Sequence, residues 1–326
     1  MRNDIIGLLL AFSGVLLIFM SATLITMNQA EAERPGKVPR TRVPRESLQG
    51  HRAPQNRSVG TATSRRRNAS RVREKGSCLK FYTVASQPTS KFCMLLRTAV
   101  VAGVDLNVLG MGLEYAGNEM KLRYMVDELA SVPPDCVIVF IDAYDVLFAN
   151  TPPQQTLARY RQMTRQSGDQ LIFSAECNCL AHNRSCEDFP PSPPGFPSRF
   201  PNSGGWISPA SLAITFFKAV IANIGNKTDV HDQAYANDIF RIPELRERYS
   251  LGLDYRSRIF LSLTTGGGPG GRRDGVECRP VADYNHGNAF KNGVWTDPKR
   301  RVSPAVVHFN GGGKLFMGEW FNVWRQ

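Results

Sequence analysis

Two aspartates follow a strongly apolar segment near the middle of the chain. Residues 137–141 read VIVFI, and Asp142 and Asp145 come directly afterwards with Ala143 and Tyr144 between them. Consecutive apolar residues that are mostly β-branched or aromatic predict a strand buried on both faces. Ligands of open α/β sheets bind beyond the carboxyl ends of strands, and neighbouring carboxylates favour a divalent cation as partner. An Asp-containing turn explains the same pair equally well.

A second candidate group lies near the C-terminal end of the sequence. Val306 and Val307 precede His308, and the segment FNGGGK follows. An imidazole is a good ligand for manganese-class metals, and glycine N–H groups beside a lysine suit a diphosphate. The spacing is not that of a Walker motif. A structural histidine beside a flexible loop is the alternative interpretation.

Three weaker patterns also contain residues suited to chemistry. The segment 202–206, NSGGW, lets a backbone approach a ligand closely, although a Gly-Gly turn before a strand explains it equally well. Asp232 opens a predicted helix, where an N-cap is the simpler explanation. Lys121 and Arg123 could meet a phosphate, and a solvated helix face is the default.

Strands and helices alternate from residue 79 onward. The predicted strands are 79–85, 105–110, 137–141, 170–175, 206–207, 255–263 and 305–308. The predicted helices are 93–102, 118–129, 155–166, 211–224 and one that opens at 231. This alternation argues for a parallel sheet with helices on its faces, and hence for an α/β fold of the Rossmann-like kind.

Residues 176–201 interrupt the alternation with many prolines and three cysteines. Such a composition predicts an irregular loop tied by a disulfide. Cys177, Cys179, Cys186 and His182 could instead hold zinc, but their spacing is not that of a standard zinc site. A local disulfide is therefore the favoured interpretation.

The N-terminal part of the chain predicts a membrane anchor and a stem. Residues 5–27 form an uncharged apolar run long enough to span a bilayer, with a cleaved signal peptide as the competitor. Residues 28–76 are rich in Arg, Pro, Ser and Gly, which predicts a basic disordered stem. The expected organisation is a tail at 1–4, a transmembrane signal anchor at 5–27, this stem, and one globular domain at 77–326.

The strong basicity of the chain belongs mainly to that stem. The formal net charge is +12, and residues 31–75 alone contain 13 Lys or Arg against 4 Asp or Glu. A basic, weakly hydrophobic segment of this kind is typical of a solvated linker. Nucleic acid is therefore not an expected partner.

Two signals in the sequence bear on the direction of membrane insertion, and they disagree. Positive charge is greater after the apolar run than before it, which by the positive-inside rule would leave the domain in the cytosol. Four glycosylation sequons, beginning at Asn56, Asn68, Asn183 and Asn226, favour the lumen instead. We expect a single-pass type II membrane glycoprotein of the endoplasmic reticulum or Golgi lumen.

Several segments, in the same order, carry a family resemblance. They are NEMKLR at 118–123, DAYDVLF at 142–148, FSAE at 173–176, RFPNSGG at 199–205, DQ at 232–233, LDYRSRIF at 253–260 and HFNG at 308–311. The region from about Lys80 to Trp320 resembles the glycosyltransferase domain of the procollagen lysyl hydroxylase family, close to the collagen glycosyltransferases.

That resemblance implies a GT-A-like mixed sheet that binds Mn²⁺ and a UDP-sugar donor, UDP-glucose or UDP-galactose. The implied metal ligands are Asp142, Asp145 and His308, and the two aspartates count as catalytic through the metal. Tyr144 is implied to lie against the uracil ring, and Asp232 to lie beside the sugar and the acceptor. The other residues implied at the donor are Lys121, Asn202, Asn310, Gly311 and Lys314.

The sequence departs from the family pattern at several positions. Ala143 replaces a hydroxyl residue, Phe309 stands where the family has Gly, and His231 precedes Asp232 where the family is more acidic. The sequence ends soon after Trp320, so the family's C-terminal iron hydroxylase domain and its hydroxylation are not expected.

The expected function is a metal-dependent transfer of a hexose from a UDP-sugar to a hydroxyl of a glycan or protein. A collagen-like acceptor is implied by the resemblance only. Two alternatives remain open. One is a catalytically inactive glycosyltransferase-like protein that acts as an adaptor or lectin. The other is a metal-dependent phosphohydrolase, which usually has a richer set of metal ligands.

Overall fold

The computed structural model describes residues 41–42, 78–182, 186–196, 198–228, 230–263, 290–291, 294–295 and 303–325. The expected anchor at 5–27 and nearly all of the expected stem lie outside these residues. Across the described ranges no helix combines the length and the apolar character that crossing a membrane requires.

The secondary structure alternates as the sequence predicts, with additional short elements. The strands are β1 Thr41–Arg42, β2 Leu79–Val84, β3 Leu106–Leu109, β4 Val137–Ile141, β5 Val146–Phe148, β6 Leu171–Glu176, β7 Phe200–Pro209, β8 Leu251–Asp254, β9 Phe260–Ser262, β10 Phe290–Lys291, β11 Val294–Trp295 and β12 Val306–His308. The α-helices are α1 Ser90–Val101, α2 Glu119–Leu129, α3 Pro153–Ser167, α4 Ala210–Ile224, α5 Asp232–Phe240, α6 Pro243–Arg248 and α7 Met317–Trp324. Short 3₁₀-helices occupy Cys186–Asp188 and Gly311–Leu315.

The main sheet is mixed, with the strand order β1-β3-β2-β4-β7-β6-β8. Strands β3, β2 and β4 are mutually parallel, as their alternation with helices predicts. Strand β7 runs antiparallel between β4 and β6, and β8 is parallel to β6. Two antiparallel steps make β6 parallel to β4, so their carboxyl ends share one edge. The α/β fold with helices on a central sheet is confirmed, and the sheet is mixed as the resemblance implies. The wholly parallel sheet that the alternation predicts is wrong at β7.

Strand β4 is buried on both faces, which confirms the prediction from its apolar run. Ile138 and Phe140 join the hydrophobic cluster that contains residues of α2, α4 and α5. Val139 and Ile141 join the cluster on the opposite face, which contains residues of α1 and α3. Successive side chains of a strand point to opposite faces, so each half of the alternation supplies one layer of the core.

A small second sheet, in the order β5-β12-β9, continues from the end of β4. Strand β12 is antiparallel to β5 and parallel to β9. A third hydrophobic cluster packs against it and includes Phe309 and Trp320. This sheet brings the C-terminal part of the domain to the carboxyl end of β4.

Two strand predictions near residues 200–263 are wrong. The predicted strand 206–207 is too short, because it belongs to the ten-residue strand β7, which also contains Asn202 to Gly205. The alternative of a Gly-Gly turn is excluded, since Gly205 pairs with Ile141 of β4 and Asn202 pairs with Ser174 of β6, where the register shifts. In the predicted strand 255–263, residues 255–259 form a turn after β8, and the extended part is β9 at Phe260–Ser262. There the Asp254 carboxylate accepts hydrogen bonds from the backbone N–H groups of Arg258, Ile259 and Phe260.

The cysteine-rich segment contains a local disulfide between Cys179 and Cys186, as predicted. A second disulfide joins Cys78 to Cys136, just before β2 and β4. Among the described residues Cys93 is the free cysteine, and it is exposed. The segment is not wholly irregular, since it includes the 3₁₀-helix at Cys186–Asp188 and the start of β7.

Candidate metal centre

Asp142, Asp145 and His308 come together at the carboxyl end of β4. One side-chain donor atom from each residue lies within 4.8 Å of the other two. The Nε2 atom of His308 is 3.3 Å from Oδ1 of Asp145 and 3.9 Å from Oδ2 of Asp142. The three residues predicted as metal ligands therefore form one cluster.

Backbone pairing positions each member of the cluster. The Asp142 N–H donates to the carbonyl of Gly204 on the neighbouring strand β7 at 2.9 Å. Asp145 directly precedes β5, whose first residue, Val146, pairs with His308 at the end of β12. The carbonyl of Asp145 accepts the N–H of Phe309 at 2.7 Å.

Gly204 is sterically required beside this cluster. A Cβ at this position would overlap Cε1 of His308 and come within 2.5 Å of Oδ2 of Asp142. No L side chain fits so close to those atoms. The glycine lets strand β7 approach these two side chains closely, whereas the close approach of this segment to a ligand stays a prediction.

The electrostatics of the cluster favour a bound cation. Burial alone would raise the pKa of the Asp145 carboxyl, but His308 and Lys314 outweigh burial and lower it below its usual range. Burial alone would lower the pKa of the His308 imidazole, but Asp145, Asp142 and Glu176 raise it. The carboxylates thus hold a negative field over the histidine, and that field attracts a proton or a metal ion alike.

The donor set fits a divalent ion of the manganese class. His308 is buried, and its ring nitrogens make no well-formed hydrogen bond to any described residue. A buried imidazole without such a partner, facing two carboxylates, has the character of a ligand side chain. One imidazole nitrogen and two carboxylate oxygens leave further positions of an octahedral ion for other ligands.

Two lysines border the carboxylates. The Nζ of Lys121 on α2 is 3.1 Å from Oδ1 of Asp142 and 3.3 Å from Oδ2 of Asp232, the first residue of α5. Burial alone would lower the pKa of Lys121, but the two carboxylates outweigh burial and raise it, so the ammonium stays charged. The Nζ of Lys314 is 3.2 Å from Oδ2 of Asp145.

The buried carboxyl of Glu176 lies beside the cluster. The sequence analysis does not include this residue in the site. Glu176, at the end of β6, accepts hydrogen bonds from the side-chain amides of Gln233 and Asn310 and also interacts with Asn202. Burial raises its pKa to about 7. Its signal in the sequence is an acid that ends an otherwise apolar strand, the same pattern that identifies Asp142.

The structure also describes the other residues that the sequence analysis expects near the UDP-sugar. Asn310 links Glu176 to Ser262, whose hydroxyl donates to its Oδ1 at 2.8 Å. Asn202 accepts the N–H of Gly204 through Oδ1 at 2.9 Å. Gly311 has a positive φ of 56° at the start of the 3₁₀-helix that carries Lys314.

Tyr144 differs from the other candidates because its hydroxyl is engaged outside the cluster. It accepts hydrogen bonds from the N–H groups of Ser86 and Gln87 at 3.0 Å each and donates to the carbonyl of Gln87 at 3.2 Å. Its ring packs edge-on against Phe92. The loop after β2 therefore fixes the orientation of Tyr144.

Known proteins resemble this chain over the same region. A family model described as the PLOD GT domain matches residues 75–324. The human multifunctional procollagen lysine hydroxylase and glycosyltransferase LH3 is 32% identical over 243 residues, which are 72% of this chain and 30% of that protein. A Drosophila melanogaster procollagen-lysine,2-oxoglutarate 5-dioxygenase is 28% identical over 253 residues, 75% of this chain and 32% of that protein.

The chain spans about a third of the length of these curated relatives. Among solved structures, a glycosyltransferase involved in glycosylation of the major capsid of PBCV-1 is similar, with a TM-score of 0.41 and 12% identity. That similarity covers 75% of this chain and 98% of the other.

Proposed function

Because the chain belongs to the PLOD GT domain family, we propose that it is a metal-dependent glycosyltransferase that transfers a hexose from a UDP-sugar to a hydroxyl group. The observation that carries the proposal is the convergence of Asp142, Asp145 and His308 at the carboxyl end of β4. Ligands of open α/β sheets bind at this edge. UDP-glucose and UDP-galactose are the proposed donors.

Asp142, Asp145 and His308 would hold Mn²⁺. When bound, that ion would offset the negative charge that develops on the UDP leaving group. Lys314 is half-exposed and next to Asp145, so its flexible side chain can reach a donor diphosphate at the same edge. The glycine-rich start of its 3₁₀-helix leaves backbone N–H groups accessible there.

Asp232 is the proposed residue for the acceptor. Its carboxylate is linked to the metal-site residue Asp142 through the Lys121 ammonium, which contacts both. We propose that Asp232 orients the acceptor hydroxyl or accepts its proton. Gln233, the next residue of α5, is bound to Glu176 and fixes the start of this helix.

The biological setting of the proposed reaction follows from the relatives and from the N-terminal sequence. The names of the relatives include procollagen lysine, which supports a protein acceptor of the collagen type. The apolar run at 5–27 and the four sequons support a type II membrane protein of the endoplasmic reticulum or Golgi lumen. A glycan acceptor fits the same site chemistry.

A donor panel tests the proposal. We expect the full chain to hydrolyse or transfer from one UDP-hexose when Mn²⁺ is present, and to lose this turnover in Asp145→Asn. Asp135→Asn, at an exposed position before β4, is the matched control and should behave as wild type. Wild-type turnover that survives chelation of metal, or that persists in Asp145→Asn, would contradict the metal-dependent mechanism.

The same panel separates the enzyme from the inactive alternative. A catalytically inactive relative would bind UDP or a UDP-sugar in calorimetry without turnover of any donor. A phosphohydrolase would cleave the diphosphate and release a sugar phosphate instead of free sugar. Release or transfer of the sugar with intact UDP as the product supports the glycosyltransferase alone.

A further inference from the structure

Each carboxylate of the proposed metal site divides its two oxygens between His308 and a lysine. Asp145 places Oδ1 3.3 Å from His308 Nε2 and Oδ2 3.2 Å from Lys314 Nζ. Asp142 places Oδ2 3.9 Å from the same nitrogen and Oδ1 3.1 Å from Lys121 Nζ. In both aspartates one oxygen faces His308 and the other faces a lysine ammonium.

This division limits how each carboxylate can bind a cation. Ca²⁺ takes about six to eight oxygen ligands in flexible geometry and often uses both oxygens of one carboxylate. Manganese-class ions favour octahedral sites, where one oxygen from each carboxylate is sufficient. A charge-assisted interaction with a lysine holds one carboxylate oxygen away from the cation. Partners of metal ligands commonly orient the ligand in this way.

We propose that Lys314 and Lys121 are positioning residues that keep Asp145 and Asp142 monodentate, so that the site selects Mn²⁺ over Ca²⁺. The inference rests on the proposed function because it takes the two aspartates and His308 as metal ligands. It adds a determinant of metal specificity that acts on the ligands and does not touch the ion.

The two lysines differ in how cleanly they can be tested. Lys121 is buried and is shared between Asp142 and Asp232, so its removal leaves two buried carboxylates without their cation. Lys314 has a side chain that is 52% exposed and pairs with Asp145 alone among the described acids. Replacing Lys314 therefore changes the denticity of one ligand without opening the core.

Replacing Lys314 would change metal affinity in two ways, through charge and through the denticity of Asp145, and the two effects can be separated. Removing Lys314 removes a positive charge near the site, which raises the affinity for every divalent cation in a similar way. It also frees Oδ2 of Asp145, so that this carboxylate can become bidentate. Ca²⁺, with its larger number of oxygen ligands, gains more from the second oxygen than an octahedral Mn²⁺ does, so the ratio of the Mn²⁺ and Ca²⁺ affinities reports denticity.

Calorimetric titration of the full chain with Mn²⁺ alone and with Ca²⁺ alone tests this inference without any donor or turnover. We expect Lys314→Met to lower the Mn²⁺-to-Ca²⁺ affinity ratio by about tenfold or more. Lys314→Arg keeps the cation on Oδ2 and should retain the wild-type ratio. Lys218→Met, at an exposed position of α4, is the control for a lost surface lysine and should also retain it. Lys121→Met is a second variant with the same expected direction.

Three results would count against the inference. A Lys314→Met ratio equal to the wild-type ratio, whether both affinities rise or fall, would overturn it while leaving the metal site intact. Wild-type protein that binds Ca²⁺ as tightly as Mn²⁺ would overturn it as well. Wild-type protein that binds no Mn²⁺ would overturn the metal site of the proposed function, and the lysine assignment with it.

Discussion

The Nε2 atom of His308 lies 3.3 Å from Oδ1 of Asp145, although the two residues are far apart in the sequence. The antiparallel pairing of β12 with β5 explains this contact, since it places His308 opposite the residue that follows Asp145. The hydrogen bond from Phe309 N–H to the Asp145 carbonyl supports the same register. The contact between His308 and Asp145 is thus determined by the pairing of the strands next to them.

Gly204→Ala should weaken metal binding while the chain still folds. The added Cβ would overlap His308 and Asp142, and such overpacking costs about 1–3 kcal/mol and displaces the donor atoms. We expect the Mn²⁺ affinity to fall by about tenfold or more, measured by calorimetry. Gly318→Ala is the control, because its Cβ would meet nothing within 4 Å. An unchanged Mn²⁺ affinity in Gly204→Ala would show that this close approach is not part of the site.

Glu176 should make the stability of the protein depend on pH. Its pKa is raised by burial from an ordinary 4.5 to about 7. The folded chain therefore holds this proton more tightly than the unfolded chain does. The contribution to stability is complete below about pH 4.5 and is lost as the pH rises towards about 7.

Glu176→Gln cannot ionise and should lack that decline. We expect the difference in unfolding free energy between wild type and variant to change by roughly 3 kcal/mol between about pH 4.5 and about pH 8. Urea denaturation of both proteins at the two pH values measures it, because titrations common to both proteins cancel. A difference that stays constant with pH would contradict the raised pKa.

Phe309 should act as a core residue and not as a phosphate contact. It is fully buried, and its ring packs edge-on against Trp320 at a centroid distance of 5.3 Å. We expect Phe309→Ala to lower the free energy of unfolding by about 3–5 kcal/mol. Leu315→Ala, a nearby position that is 82% exposed, should change it by less than about 0.5 kcal/mol. Equal small effects of the two substitutions would refute the packing role.

The Cys78–Cys136 disulfide should be a major source of stability. It closes a loop with a sequence separation of 58, for which loop entropy corresponds to about 4 kcal/mol. We expect a variant with alanine at both positions to lose up to about that amount in denaturant unfolding. Cys93→Ala, which removes an exposed free thiol, should have little effect. If the two variants unfolded at the same denaturant concentration, this cross-link would have no stabilising role.

The core of the fold is predictable because its signals are local. The apolar run at 137–141 identifies β4, and the alternation around it predicts that β2, β3 and β4 are parallel. The turn interpretation of Asn202 to Gly205 fails for a non-local reason. Two glycines suggest a turn on their own, yet here they leave room for His308 and Phe260 of other strands. The strand neighbours of a glycine cannot be read from the sequence around it.

The residues of the candidate site were likewise predictable only where their signal is local in the sequence. Asp142 and Asp145 are identifiable from the strand that precedes them, and the family resemblance adds His308. Glu176 carries a similar local signal, but its importance depends on amides that come from α5 and from the segment after β12. Burial of a polar group and the raising of its pKa are properties of the packed molecule.

By itself, the sequence determined which residues have the chemistry for a metal and a diphosphate, because residue type and the order of strands are properties of the chain. Only the tertiary structure decided that Lys121 faces one oxygen of Asp142 and Lys314 one oxygen of Asp145, while the other oxygen of each aspartate faces His308. The reason is physical. The direction of each side chain depends on the register between β5 and β12 and on the packing of α2 against the sheet, and these contacts join residues that are distant in sequence.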